Sequence, residues 1–149
     1  RAQAGGPGIL AGVCGYSTDS EAMGIPGGST ALGWSYLRVC EDSYGWRLIG
    51  SNTSQTSNPQ RNIDFLSANG WLYRYNTLLW SAYREARNYW AVSVEFDYLD
   101  SGQAPPLDYY LDGWHYFSNA GWAWGASTYV KCEVRGQPYG DKTVNCFPL

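Results

Sequence analysis

Four Gly-Trp pairs in this chain are followed, two positions after the tryptophan, by a second ring: Gly33-Trp34-Ser35-Tyr36, Gly70-Trp71-Leu72-Tyr73, Gly113-Trp114-His115-Tyr116 and Gly121-Trp122-Ala123-Trp124. A fifth, Gly45-Trp46-Arg47-Leu48, keeps the spacing with leucine. Positions i and i+2 share one face of a strand, so each pair reads as a turn glycine opening a strand that lays two flat side chains side by side. Tryptophan and tyrosine combine an apolar body with a polar tip, which suits stacking on a sugar ring or on a partner's side chain. The candidate stacking residues are Trp71, Tyr73, Tyr109, Trp114, Tyr116, Trp122 and Trp124.

Acid-base chemistry has weaker footing. Glu95 and Asp97 fall on one face of an alternating segment with Asp100 nearby, and paired carboxylates across a cleft can hydrolyse glycosidic bonds. The single histidine, His115, alternates with Trp114 and Tyr116 and has no nucleophile motif to serve, so it reads as structural. Asp97, Asp100, Asp108 and Asp112 are hard oxygen donors, but their spacing matches no calcium loop. No catalytic residue, metal or cofactor is assigned from the sequence.

Four cysteines with no close pair argue for two disulfides rather than a metal site, and disulfides form in oxidising compartments. Segments 128–135 and 142–147 read as strands joined by the turn Gly136 to Asp141, which sets Cys132 across from Cys146. Four cysteines allow three pairings; this geometry favours the one in which Cys14 and Cys40 are left to pair around the Gly24 to Gly33 loop. The sequon Asn52-Thr53-Ser54 is a possible glycan acceptor in such a compartment.

The elements that must position these residues are mostly strands. Residues 1–12 are small and glycine-rich and read as a flexible N-terminal arm before one β-rich domain, 13–149. Ser17 to Gly33 has the composition of a long loop, and Ser51 to Asn62 carries no large apolar side chain, so it reads as an exposed loop. Trp34 to Glu41, Tyr44 to Ile49 and Ala91 to Asp100 alternate as strands. Between Leu78 and Trp90, apolar residues recur at three- and four-residue intervals, which predicts one helix over 78–90. Asp112-Gly113 carries the dipeptide of a two-residue hairpin turn. The fold expected is mainly β: an antiparallel sandwich or barrel of about 8–10 short strands, one helix and two disulfides.

Asp64 to Tyr73 echoes Asp108 to Tyr116, which suggests two similar hairpins. The stretch Asp112 to Trp122 resembles one unit of the choline-binding or glucan-binding cell-wall repeats. That resemblance covers about a dozen residues and implies aromatic hairpins that enclose a quaternary ammonium or stack on sugars. It assigns no site residue here.

Composition narrows the function classes. Charged residues make up 15% of the 149 and the net charge is −3, which leaves no electrostatic footprint for nucleic acid. No apolar run approaches a membrane span. Arginines outnumber lysines, and Arg38, Arg47 and Arg74 are placed to stack on neighbouring rings. A chain beginning at Arg1 without a hydrophobic leader reads as a processed or trimmed form. Aromatic residues are 17% of the chain, more than a core of this size needs. The expectation is a secreted, non-enzymatic, lectin-like binding module that recognises a carbohydrate or cell-surface polymer through exposed Trp and Tyr. The alternatives are a subunit of an extracellular assembly, a protein-binding inhibitor or toxin component, and a small polysaccharide hydrolase.

Overall fold

A computed structural model describes residues 12–136 and 140–149. Nine strands run in chain order: β1 Cys14–Ile25, β2 Ser29–Asp42, β3 Gly45–Ser57, β4 Ile63–Arg74, β5 Thr77–Tyr89, β6 Ala91–Ser101, β7 Leu107–Asn119, β8 Trp122–Gly136 and β9 Lys142–Pro148. They form two antiparallel sheets, ordered β1-β2-β3-β6 and β5-β4-β7-β8-β9. The expected N-terminal arm lies almost wholly outside the described residues, as does the middle of the turn between β8 and β9.

Alternation drives the architecture. In β2, Ala31, Leu37 and Val39 point inward; in β7, Leu107, Tyr109, Leu111 and Phe117 do the same. The two inner faces meet in a core that joins Leu37, Leu48 and Phe96 of the four-stranded sheet to Leu72, Leu111 and Val130 of the five-stranded one. A second cluster around Ile25, Ile63, Leu66 and Phe117 continues it.

Both disulfides connect directly opposed residues: Cys14–Cys40 across β1 and β2, Cys132–Cys146 across β8 and β9. Each ties an outermost strand to its inner neighbour. Closing chain segments of 26 and 14 residues contributes about 3 kcal/mol apiece by restricting the unfolded chain. Two such links in a small β domain fit an extracellular location.

Four expectations are corrected. The segment 78–90 is strand β5, not a helix. Ala82 and Ala86 satisfy both a helical and an alternating pattern. The strand wins because β5 hydrogen-bonds along most of β4, whereas a helix of that length is marginal without packing. Ser17 to Gly33 is not a loop but β1 and the start of β2; its polar composition belongs to an edge strand, whose Asp19 carboxylate accepts the Tyr129 N–H at 2.9 Å. Ser51 to Asn62 is strand as far as Ser57, with Asn52, Ser54 and Thr56 buried as polar residues. Asp112-Gly113 is no turn; both residues lie mid-strand in β7.

Three of the five Gly-Trp pairs are corrected with it, while Gly45 and Gly121, both at positive φ, do stand where β3 and β8 begin. Gly33, Gly70 and Gly113 are buried mid-strand positions facing inward. A Cβ on Gly113 would come within 2.5 Å of Asn52 Oδ1 and 2.6 Å of Thr128 Oγ1, and one on Gly70 within 2.5 Å of Asn52 Nδ2. A Cβ on Gly33 would run into the His115 ring. The echoing segments are not hairpins but hydrogen-bonded neighbours, β4 and β7, with Gly70 directly opposite Gly113. Gly113→Ala is therefore expected to lower stability in urea denaturation by about 2 kcal/mol, the usual cost of overpacking. Gly24→Ala, whose added methyl meets nothing within 4 Å, leaves the midpoint unchanged or slightly higher.

Candidate binding face

Because the glycines of β4 and β7 point inward, the residues beside them point outward. The outer face of the five-stranded sheet carries Phe65, Trp71 and Tyr73 from β4, and Tyr110, Trp114 and Tyr116 from β7. Tyr83 of β5 and Tyr129 of β8 flank them, 51% and 40% exposed. Register sets Trp71 opposite Asp112 and Tyr73 opposite Tyr110, while Asp112 in turn faces Tyr129. Outward side chains along β7 therefore recur about every 7 Å, two residues at ~3.4 Å each, with Asp112 between the rings of Tyr110 and Trp114.

Small residues keep the face shallow. The Trp114 indole, 40% exposed, lies over Gly125, where a Cβ would come within 2.5 Å of its Cζ2. Phe65 meets Tyr116 edge-on at 6.0 Å, and the Arg87 guanidinium stands 4.9 Å over the Phe65 ring. The Lys131 ammonium lies 5.4 Å from the Tyr110 centroid and 6.0 Å from that of Phe147. Ion pairing to Glu133 at 3.1 Å holds Lys131 firmly charged.

Four of the seven sequence-picked rings, Trp71, Tyr73, Trp114 and Tyr116, thus share one face. The other three do not. Tyr109 is fully buried and donates its phenol to Asp100 Oδ2 at 2.6 Å, while Arg74 pairs with the same carboxylate; burial drives the phenol pKa upward. Trp122 and Trp124 turn inward against the second core cluster, with Trp124 stacked on Phe117 at 5.5 Å. Tyr110, Asp112, Tyr83 and Tyr129 were missed. Tyr110, Asp112, Trp114 and Tyr116 form one unbroken alternating row, which the hairpin reading of Asp112-Gly113 cut in two.

The arginines expected to stack do other things: Arg47 pairs with Asp42 and Asp97, Arg74 with Asp100, and Arg38 lies 3.8 Å from Cys14 Sγ. Arg87 and Lys131 take the ring contacts instead. Glu95 and Asp97 are exposed on β6 of the other sheet, with Asp97 held by Arg47 at 2.8 Å, so neither faces the rings. Asn52 of the sequon is fully buried, which leaves no room for a glycan on it in the folded chain.

His115 belongs to a polar cluster between the sheets. Its Nδ1 lies 2.9 Å from Ser54 Oγ and its Nε2 2.8 Å from Thr128 Oγ1. Ser35 Oγ contacts both Thr128 Oγ1 and Asn52 Oδ1, and Asn52 Nδ2 donates to the Asp112 carbonyl at 3.2 Å. Burial pushes the imidazole pKa down to about 4. The unfolded chain, at the usual ~6.5, binds this proton first, so stability is full above that value and falls as pH drops toward 4. The expected loss is about 3 kcal/mol, read by urea denaturation between pH 7 and pH 4. His115→Gln should flatten that slope while costing stability at pH 7.

The chain matches no protein-family model, no curated protein and no solved structure, so its function is argued from this face.

Proposed function

We propose that this chain is a secreted, non-enzymatic binding module that holds a carbohydrate polymer against the outer face of the five-stranded sheet. The observation that carries the reading is the run of outward rings on adjacent strands, Trp71, Tyr73, Tyr110, Trp114 and Tyr116, in positions the core does not require. Sugar rings present apolar C–H faces that stack on indole and phenol, while their hydroxyls need hydrogen-bonding groups at the rim. Phenol hydroxyls and the side chains of Asn69, Asn76 and Ser127 supply such groups around the rings. A shallow face suits a chain molecule lying along it better than a small ligand, which favours an enclosed pocket.

Catalysis has little support by comparison. The carboxylate pair on β6 stands on the opposite sheet, and the histidine is locked between the layers. The two disulfides fit export of the chain to an oxidising environment.

The test is binding to a panel of soluble polysaccharides, followed by variants. Trp114→Ala and Trp71→Ala are each expected to weaken binding about three- to tenfold, the worth of one ring contact. Tyr16→Ala, on the other sheet and 68% exposed, leaves it unchanged. No binding to any polysaccharide, together with concentration-dependent self-association abolished by Trp114→Ala, would overturn the reading in favour of a protein-assembly face.

A further inference from the structure

One carboxylate stands in the middle of this aromatic face. Asp112 has Trp71 and Tyr129 directly across from it on the neighbouring strands, and Tyr110 and Trp114 two residues away along its own. Among the described residues, its side chain has no hydrogen-bond donor and no cation within ion-pair distance. Every other carboxylate of this sheet's outer face has one: Asp108 has Arg135 at 2.8 Å, Glu133 has Lys131 at 3.1 Å, and Glu85 has Arg87 at 3.1 Å. Lys131, the nearest ring-bound cation, is already committed to Glu133 and, at 3.9 Å, to Asp108. Half-burial among rings raises the Asp112 pKa with nothing on the protein to offset it. A desolvated carboxylate without partners is costly to keep.

Beside Asp112 the face dips into a depression of about 290 Å³ lined by Tyr73, Tyr75, Asn76, Tyr110 and Asp112. The Tyr75 phenol is fixed there by donating to the Pro106 carbonyl at 2.6 Å. Three electron-rich rings beside one negative charge attract a cation from two directions, by the ring quadrupoles and by direct charge. The lining also contains phenol oxygens and the Asn76 amide, acceptors that an N–H donor can use and a quaternary ammonium cannot.

Building on the reading of this face as a glycan-recognition surface, we infer that the depression at Asp112 receives a protonated primary amine, so that the polymer bound is one whose sugars carry free amino groups. The ammonium would bind the Asp112 carboxylate and the Asn76 side chain, with the neighbouring sugar ring laid on Trp71 or Trp114. A hydroxyl or an acetamide in the same place would leave the carboxylate without a counter-charge.

The probe is a pair of chitosan-type oligosaccharides of equal length, one deacetylated and one fully N-acetylated, measured by calorimetry at pH 6. Binding of the deacetylated oligomer tighter by about tenfold or more is expected, from one charge-assisted hydrogen bond and one cation–π contact. Asp112→Asn should remove most of the preference, leaving only the few-fold advantage that the rings alone give a cation, with circular dichroism confirming the fold. Equal affinity of the unaltered chain for both, or failure of both to bind, would overturn the amine inference; the carbohydrate reading itself falls only if the wider polysaccharide panel also fails. An undiminished preference for the amine in Asp112→Asn would also overturn it, since net charge elsewhere would then explain the selectivity.

Discussion

The close meeting of the two sheets at Asn52 governs the rest of the structure. The Asn52 amide reaches across from β3 to the backbone of β7, and the space it fills is left by Gly70 and Gly113, which face each other across the β4–β7 ladder. Ser35 and Thr128 complete its partners, and His115 extends the cluster to Ser54. Buried polar groups are tolerated only when satisfied, and a network in which each member has a partner rigidifies what it joins. The glycines are therefore not there for backbone freedom, since none of the three has a left-handed conformation. They are there because anything larger would push the layers apart.

That internal requirement decides what reaches the outside. Side chains alternate along a strand, so an inward glycine at 70 or 113 forces Trp71 and Trp114 outward, and the next alternate positions, Tyr73 and Tyr116, follow them. A one-residue slip of β4 would turn Trp71 inward and Leu72 outward, and one of β7 would turn Trp114 inward and expose Leu111 and His115. The polar cluster thus fixes the register that displays the rings. Core and face are two sides of one constraint, and a substitution that loosens the first is felt at the second.

Much of this was legible in the sequence, and the parts that were not share a cause. Cysteine pairing followed from the two-strand pattern around Cys132 and Cys146, and both bonds are where that pattern places them. The alternation of Val92, Val94 and Phe96 marked β6 correctly. Failure came where the interior is polar and at two of the four edge strands, β1 and β5. Ser54 and Thr56 read as solvent-loving, yet the first donates to the Ser67 carbonyl at 2.7 Å and the second to the Arg61 carbonyl at 2.6 Å. Composition registers that a side chain is polar, not that its partner waits on another strand. Edge strands β1 and β5 have the mirror problem, since with one neighbour and little to bury they lack the hydrophobic run that identifies a strand. Among the candidate rings, the same blindness swapped Tyr109 for Tyr110: adjacent residues, one spent on Asp100 in the core, one displayed.

A face rich in rings also has to avoid association between copies, and its composition shows how that is balanced. Phe65, Trp71, Tyr73, Tyr110 and Tyr116 are only half exposed, shielded by one another and by the aliphatic stems of Arg87 and Lys131, whose charged ends lie over the rings. Tyr83, Trp114 and Tyr129 stand more open, but Asn69 lies between Tyr83 and Trp114, and Asp112 interrupts the rings along β7. A purely apolar surface of this size would invite sheet-to-sheet stacking between copies. Phenol hydroxyls, a carboxylate at the centre and cations at the margins instead make the face wettable, and water bound to such groups is readily exchanged for the hydroxyls of a sugar. A surface of rings separated by polar groups offers stacking area and hydrogen-bonding groups side by side. It is well suited to a partner that is itself a ring bordered by hydroxyls.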